Sequence, residues 1–91
     1  MVFTVISYDI SDDRKRTQVA NILADHGTRV QYSVFECRID MKTLEMLVKM
    51  LEPLPECGDS IRIYLICEGC LKKAILLGRG EFLKEEAFHI V

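Results

Sequence analysis

The sequence predicts an α+β sandwich in which two helices cover one face of a sheet. The first observation behind this prediction is size, because 91 residues with 49% hydrophobic and 29% charged residues suffice for one core and are too few for two. The second is pattern, since strand-like segments alternate with amphipathic helical segments and no repeat or low-complexity tract interrupts them. We therefore expect a single domain over residues 1–91.

A buried strand and a helix are predicted in the first third of the chain. The run from Val2 to Tyr8 is rich in β-branched and aromatic residues without strict polar alternation, which is typical of a central strand covered on both faces. After Asp9, capping side chains at positions 11–13 precede a helical pattern, and Gly27 offers a stop. We therefore expect a helix from about Asp13 to His26.

The middle of the chain predicts extended structure and a second helix. Residues from Arg29 to Cys37 alternate in polarity, as one bent strand or a tight hairpin would. Asp40 can cap a helix that Pro53 ends. The apolar stripe of that helix consists of Leu44, Leu47, Val48 and Leu51. One face of the second helix is therefore expected to pack on the core.

Beyond the loop at residues 53–59 the pattern returns to strands. Ser60 to Cys67 alternates, Glu68-Gly69 suits a turn, and Leu71 to Leu77 predicts a further strand. The tail from Phe82 to Val91 is expected to end in a short strand. This order fits a ferredoxin-like βαββαβ sandwich with an additional C-terminal strand and two helices on one sheet face. The other sheet face would be open in a monomer, which favours a symmetric dimer.

Composition and charge restrict the possible partners. Twelve Lys and Arg against fourteen Asp and Glu give a net charge of −2, so any binding to nucleic acid needs a local basic patch rather than a global field. The longest apolar runs fall short of the roughly 20 residues that a membrane span needs. No basic segment precedes the first apolar run, so we expect no secretory signal. The expected protein is cytoplasmic and does not cross a membrane.

Asp9 is a candidate magnesium ligand because it ends a buried strand, where an uncompensated carboxylate is costly. Magnesium needs few protein ligands, since it keeps several waters and takes phosphate oxygens. In a two-fold dimer, two copies of Asp9 would share one site. The alternative is that Asp9 only turns or caps the chain before Ser11, and the spacing by itself favours this alternative.

Arg14, Lys15 and Arg16 form a candidate phosphate-binding cluster. Cations at a helix N-terminus oppose the helix dipole, and such a breach of a local rule can mark a binding site. With the helix amides they would hold phosphate, and Arg29 would extend the patch. The alternative is a solvated turn whose charges are balanced by the two preceding aspartates.

The four cysteines, Cys37, Cys57, Cys67 and Cys70, are expected to be reduced thiols that pack mainly as small core residues. The pair at positions 67 and 70 has the spacing of half a zinc site, which the other two could in principle complete. Thioredoxin-like redox chemistry is disfavoured, because the pattern shows no strand-to-helix context around the pair.

Two segments together resemble a known family. They are YDISDDRKR at residues 8–16, followed by a helix that ends before Gly27, and RVQYSVFEC at residues 29–37. In this order and spacing they are similar to the second core adaptation protein of CRISPR systems. The resemblance extends over nearly the whole chain and includes its length and its second helix.

The resemblance implies a ferredoxin-like homodimer whose two sheets pack face to face, with the tail at about residues 79–91 exchanged with the partner subunit. The implied function is CRISPR adaptation, in which the homodimer is the DNA-bridging partner of a CRISPR integrase: it bridges two integrase dimers and fixes the length of the foreign DNA that is inserted as a spacer. A magnesium-dependent endonuclease on single-stranded RNA or duplex DNA is a second implied activity. A purely non-catalytic scaffold and a toxin-type endoribonuclease of the related virulence-associated family remain as alternatives.

The resemblance also assigns roles to residues. It raises the magnesium interpretation of Asp9 above the capping one, because Asp9 matches the family's strand-end aspartate, whose two copies face each other. The candidate catalytic residues are Asp9, Tyr8, Arg16, Arg29 and Phe35. The candidate nucleic-acid contacts are Arg14, Lys15, Arg16 and Arg29. Since the arginine spacing varies in the family, Arg14 is an alternative to Arg16 in the first set.

Overall fold

A computed structural model of the protein describes residues 1–78 and the backbone of residues 89–90. The elements are β1 (Val2–Asp9), α1 (Asp13–Ala24), β2 (Gly27–Gln31), β3 (Val34–Ile39), α2 (Met41–Leu51), β4 (Ser60–Ile66), α3 (Glu68–Leu71), β5 (Ile75–Leu76) and β6 (His89–Ile90). Among these described residues, no helix has both the length and the apolar character that a membrane span requires.

The main sheet has the order β2-β3-β1-β4, and all neighbouring strands are antiparallel. This arrangement confirms the predicted ferredoxin-like βαββαβ sandwich. The alternating segment after Arg29 is a hairpin and not one bent strand, because the chain turns at Tyr32 and Ser33. The carbonyl of Ser33 accepts a hydrogen bond of 3.0 Å from the backbone N–H of Tyr8, which fixes the turn against the central strand.

Both helices pack on one face of the sheet. Strand side chains alternate between faces, and the register places Phe35 of β3 beside Ile6 of β1 on the helix-covered face. The core cluster consists of Ile6, Tyr8, Ile10, Val19, Leu23, Phe35, Cys37, Ile39, Leu44, Leu47, Leu51 and Leu54. Val48, predicted in the same stripe, is 37% exposed and lines a groove of about 170 Å³ between α2 and β4. Val48 follows Leu47 by one position and therefore lies at the edge of the stripe of buried leucines on α2.

Each of the two long helices begins at an aspartate cap. The side chain of Asp12 accepts a hydrogen bond of 2.9 Å from the backbone N–H of Lys15, and that of Asp40 accepts one of 2.7 Å from Thr43. These bonds satisfy N–H groups that have no partner within the helix. The predicted α1 is confirmed with an earlier end, at Ala24 instead of about residue 26.

The segment after β4 differs from the sequence prediction. Residues 68–71 form one turn of helix instead of a simple turn, and the predicted strand from Leu71 to Leu77 is reduced to the two residues of β5. Leu71 is only 1% exposed, and α3 contacts the central strand β1. Burial of Leu71 therefore favours the helical turn over a continuous strand.

Most of the open sheet face carries a mixture of apolar and charged side chains. The register places Val5 between Glu36 and Tyr64, and places Ser7 between Val34 and Arg62. Tyr64 is 52% exposed. Residues 79–88 and 91, which contain most of the predicted exchanged tail, lie outside the described residues. The short strand expected at the end of the tail is present as β6, which pairs in parallel with β5.

Candidate functional site

Asp9 lies at the end of β1 and belongs to the open face of the sheet. Its register partner on β4 is Ser60, and Arg62 is its diagonal neighbour on the same face. Asp9 is exposed, so the strand does not bury its charge. The capping role is filled by Asp12, and within residues 1–78 the Asp9 carboxylate has no hydrogen bond or ion pair. The carboxylate is therefore available to a ligand.

The loop that follows Asp9 is held from two sides. The Arg16 guanidinium donates to the carbonyl oxygens of Ile10 and Ser11 at 3.1 and 3.4 Å. Asp59 accepts hydrogen bonds from the backbone N–H groups of Ser11, at 3.0 Å, and Glu56, at 2.9 Å. Both hydrogen bonds lower the pKa of Asp59, and the one from Glu56 has the larger effect. The side chains of Arg16 and Asp59 therefore hold the backbone that follows Asp9 in place.

The three predicted phosphate-binding cations have different surroundings. Lys15 forms an ion pair of 2.7 Å with Glu56, and this contact raises the Lys15 pKa. Arg16 pairs with Asp13, which raises the Arg16 pKa, and it also holds the loop. Arg14 is exposed and has no charged partner within the described part of the chain. Arg14 is therefore the cation of this cluster with its charge free for phosphate.

A cluster of two aromatic rings and one cation lies on the helix-covered face. The rings of Tyr8 and Phe35 are stacked at a centroid distance of 6.3 Å and an interplanar angle of 28°. The Cζ atom of Arg29 lies 5.3 Å from the Phe35 ring centroid, and its Nη2 donates to the Tyr8 hydroxyl at 3.4 Å. Cation–π attraction and this hydrogen bond together hold the Arg29 guanidinium at a fixed place.

This cluster borders a polar cavity of about 310 Å³ between α1 and the β2-β3 hairpin. The lining residues are Tyr8, Arg16, Thr17, Ala20, Asn21, Arg29 and Tyr32. The structure thus brings together the candidates Tyr8, Arg16, Arg29 and Phe35. It does not bring Asp9 to them, because consecutive strand residues project to opposite faces.

Three residues of this region were not singled out from the sequence. Arg62 shares the sheet face of Asp9. The alternation of β4 could have indicated this, because Arg62 stands between apolar positions that point to the other face. Asp59 acts through two hydrogen bonds across the chain, which no local pattern indicates. Tyr32 is exposed at the cavity, and only the hairpin geometry places it there.

The side chains near Asp9 determine whether a magnesium ion could be held there. Within the described residues, no group of three or more His, Cys, Asp or Glu side chains is arranged to hold a metal ion. The exposed Asp9 carboxylate offers hard oxygen ligands of the type that Mg²⁺ prefers, and Mg²⁺ binds to one or two carboxylates with waters and phosphate oxygens completing its shell. Asp9 fits this role if a second copy or a bound phosphate supplies further oxygens.

Fold and site together define a small ferredoxin-like α+β protein with an acidic strand end on its open sheet face and a cationic, aromatic-lined cavity on the other. The chain belongs to the CRISPR associated protein Cas2 family, whose family model matches residues 1–74. This membership confirms the resemblance drawn from the two sequence segments.

The relatives match over most of their length. The chain is 42% identical over 91 residues to "CRISPR-associated endoribonuclease Cas2 3" of Chloroflexus aurantiacus, covering 99% of this chain and 98% of that protein. Among solved structures, a hypothetical protein from Thermus thermophilus matches with a TM-score of 0.74 and 38% identity, covering 89% of this chain and 95% of the other. A chain of the structure "Partial Cas6-RT-Cas1--Cas2 complex" matches with a TM-score of 0.70 and 25% identity, covering 81% and 82%.

Proposed function

We propose that this protein acts in CRISPR adaptation, in the cytoplasm, as a homodimer that bridges two integrase dimers and positions the duplex DNA to be inserted. The observation that carries this proposal is the match to a chain of a Cas1--Cas2 complex over 81% of this chain, together with membership in the Cas2 family. The family model covers residues 1–74, which include Asp9.

The open sheet face supports the homodimer. Val5, Val34 and Tyr64 place apolar surface there, and a small domain gains stability by burying such a face against a second copy. Asp9 belongs to the same face, so packing of two open faces about a two-fold axis that runs along the strands would bring both carboxylates to one end of the interface. Exchange of the tail at about residues 79–91 would add to this interface.

Contacts with nucleic acid come from local cations in this proposal, since the chain has a net charge of −2. Arg14 has its charge free, whereas Arg16 and Lys15 are already paired. Arg29 presents its guanidinium at the cavity edge. Contacts of this kind to phosphates position a duplex without reading its sequence.

Endonuclease activity is the finer part of the proposal. The Chloroflexus aurantiacus relative is named an endoribonuclease. When bound, magnesium polarises a phosphate and lowers the pKa of an attacking water. Asp9 would hold the ion, and Arg62 beside it would attract the phosphate of single-stranded RNA or duplex DNA. The cluster of Tyr8, Arg29 and Phe35 lies on the other face and does not reach a group held at Asp9 of the same protomer, so these three residues take no direct part in cleavage in this proposal.

A spacer-integration assay with the integrase tests the two parts separately. Wild type and Asp9→Asn are each mixed with integrase and duplex DNA, and both integration and magnesium-dependent cleavage are measured. We expect Asp9→Asn to lose cleavage and to keep its dimer and its binding to integrase. Normal integration by Asp9→Asn would identify a non-catalytic scaffold. Failure of wild type to bind any integrase, with RNA cleavage intact, would overturn the adaptation role in favour of a toxin-type endoribonuclease.

A further inference from the structure

We propose that Cys67 and Cys70 form a redox-active dithiol, which a low-molecular-weight disulfide oxidises reversibly to an intramolecular disulfide. The pair follows the last residue of β4, Ile66, and spans the single turn of α3. This role is distinct from adaptation and rests on none of the residues assigned to it.

The placement of the pair corrects two sequence expectations. Cys67 and Cys70 are exposed free thiols, as is Cys57, so only Cys37 among the four is a core residue. A strand does lead into a helical turn at the pair, since Cys67 is the N-cap of α3. The strand-to-helix connection that the sequence pattern did not show is thus present, in the form of one helical turn.

The two sulfur-bearing residues contact each other. The backbone N–H of Cys70 donates to the Sγ atom of Cys67 at 3.4 Å. Residues three positions apart in a helical turn lie on the same side, so a bond between the sulfurs spans one turn of chain. Gly69 between them has no side chain, and a β-carbon there would lie 4.0 Å from the Cys67 Sγ. Because Cys67 is also exposed, its sulfur is open to an incoming reagent.

The surroundings make the two thiols unequal. The hydrogen bonds from the backbone and the thiol of Cys70 lower the pKa of Cys67. The same interaction raises the pKa of Cys70. Because the thiolate is the nucleophile in exchange with disulfides, Cys67 is the attacking residue and Cys70 the resolving residue. By contrast, burial raises the pKa of Cys37 to about 11, which leaves that thiol unreactive.

The thiol–disulfide exchange takes place in two steps. The Cys67 thiolate attacks one sulfur of the small disulfide, the S–S bond of the reagent breaks, and one small thiolate leaves. Cys70 then loses its proton and attacks the Cys67 sulfur, which expels the second small thiolate. The protein loses two electrons and two protons, and the reagent is reduced to two thiols. Excess small thiol reverses both steps.

The turn that closes is anchored at its far end. Leu71 is buried, and its backbone N–H donates to the carbonyl of Cys67 at 2.9 Å. Arg38 of β3 pairs with Glu68 at 3.8 Å. These contacts keep the two cysteines on one turn in the folded protein, so an intramolecular bond is favoured over bonds between molecules.

The test uses the folded, fully reduced wild-type protein and oxidised glutathione. The products are read by intact mass and by peptide mapping after alkylation of the remaining thiols. We expect a peptide that links positions 67 and 70, with the loss of two hydrogen atoms, and its disappearance on adding reduced glutathione. Cys67 is expected to react with iodoacetamide several-fold faster than Cys57 at neutral pH. This rate comparison needs no variant and remains valid if a variant fails to fold.

Three variants assign the roles. Cys70→Ser should stop with one glutathione on Cys67, Cys67→Ser should react several-fold more slowly, and the matched control Cys57→Ser should behave as wild type in forming the linked peptide. Equal alkylation rates for Cys67 and Cys57, or a stable glutathione adduct on wild type without the linked peptide, would overturn the proposal. Protection of both thiols by equimolar Zn²⁺ under reducing conditions, with no linked peptide on oxidation, would do the same and identify a metal site.

Discussion

Tyr8 and Asp9 are neighbours in β1 and lie on opposite faces of the central sheet. Tyr8 is 5% exposed and stacks on Phe35 beneath the helices, whereas Asp9 is exposed on the open face. One residue step therefore separates a packed aromatic cluster from a free carboxylate. In one protomer, a group held at Asp9 is separated by the sheet from the cavity beside Arg29.

Replacement of Asp9 by Asn should abolish magnesium-dependent cleavage, because the amide no longer supplies a charged oxygen ligand. The exposed side chain has no partner among the described residues, so fold and dimer should be unchanged. Cleavage of labelled RNA and DNA is measured over a magnesium titration, with size-exclusion chromatography for the dimer. The matched control is Asp25→Asn, which changes an exposed aspartate at the end of α1. Cleavage at the wild-type rate by Asp9→Asn would remove Asp9 from the reaction.

Replacement of Arg29 by Gln should lower the free energy of unfolding by about 1 kcal/mol, since it removes a cation–π contact and a hydrogen bond to a buried tyrosine. Tyr8→Phe keeps the stacked ring and removes only the hydroxyl. Urea denaturation of both single variants and the double variant gives the coupling between them. We expect the two effects to be non-additive, because the two side chains share one hydrogen bond. Additive effects would show that the contact contributes nothing to stability.

Replacement of Arg14 by Gln should weaken binding to duplex DNA uniformly across sequences. Its free charge contacts phosphate in the proposed complex, and loss of one such contact lowers the slope of log affinity against log salt by about 1 for each chain. Fluorescence anisotropy over a salt series measures that slope. Lys49→Gln on α2 is the control, because it removes an equal charge from another part of the surface. An unchanged slope in Arg14→Gln would place the phosphate contacts elsewhere.

Asp59 should make stability depend on pH in the acidic range. Its pKa is lower in the folded protein than its ordinary value of 3.8, so its contribution is fully present above that value and is lost as the pH falls through the folded pKa. Urea denaturation of wild type and Asp59→Asn at a series of pH values isolates this effect. The Asp40 cap titrates in both proteins, so its contribution cancels in the difference between their free energies of unfolding. The stability difference should be largest near neutral pH and should vanish in acid. A difference independent of pH would contradict the role assigned to the carboxylate.

Much of the fold could be predicted because its signals are local. The aspartate caps, the stripe of Leu44, Leu47 and Leu51, and the strand patterns each lie within one segment. The helical turn at residues 68–71 could not be read in this way, because it depends on burial of Leu71 against the sheet. The exposure of Cys67 and Cys70 follows from that same turn.

The sequence by itself determined the two long helices, the strands around them as far as β4, the ferredoxin-like class and the family, because hydrophobic period, caps and two characteristic segments are properties of neighbouring residues. Only the tertiary structure decided which candidates meet. It joined Tyr8, Arg29 and Phe35 across three strands, engaged Arg16 in holding a loop and placed Asp9 on the other face, near Arg62. The physical reason is strand register, which sets contacts between distant residues and assigns each side chain to one face of the sheet.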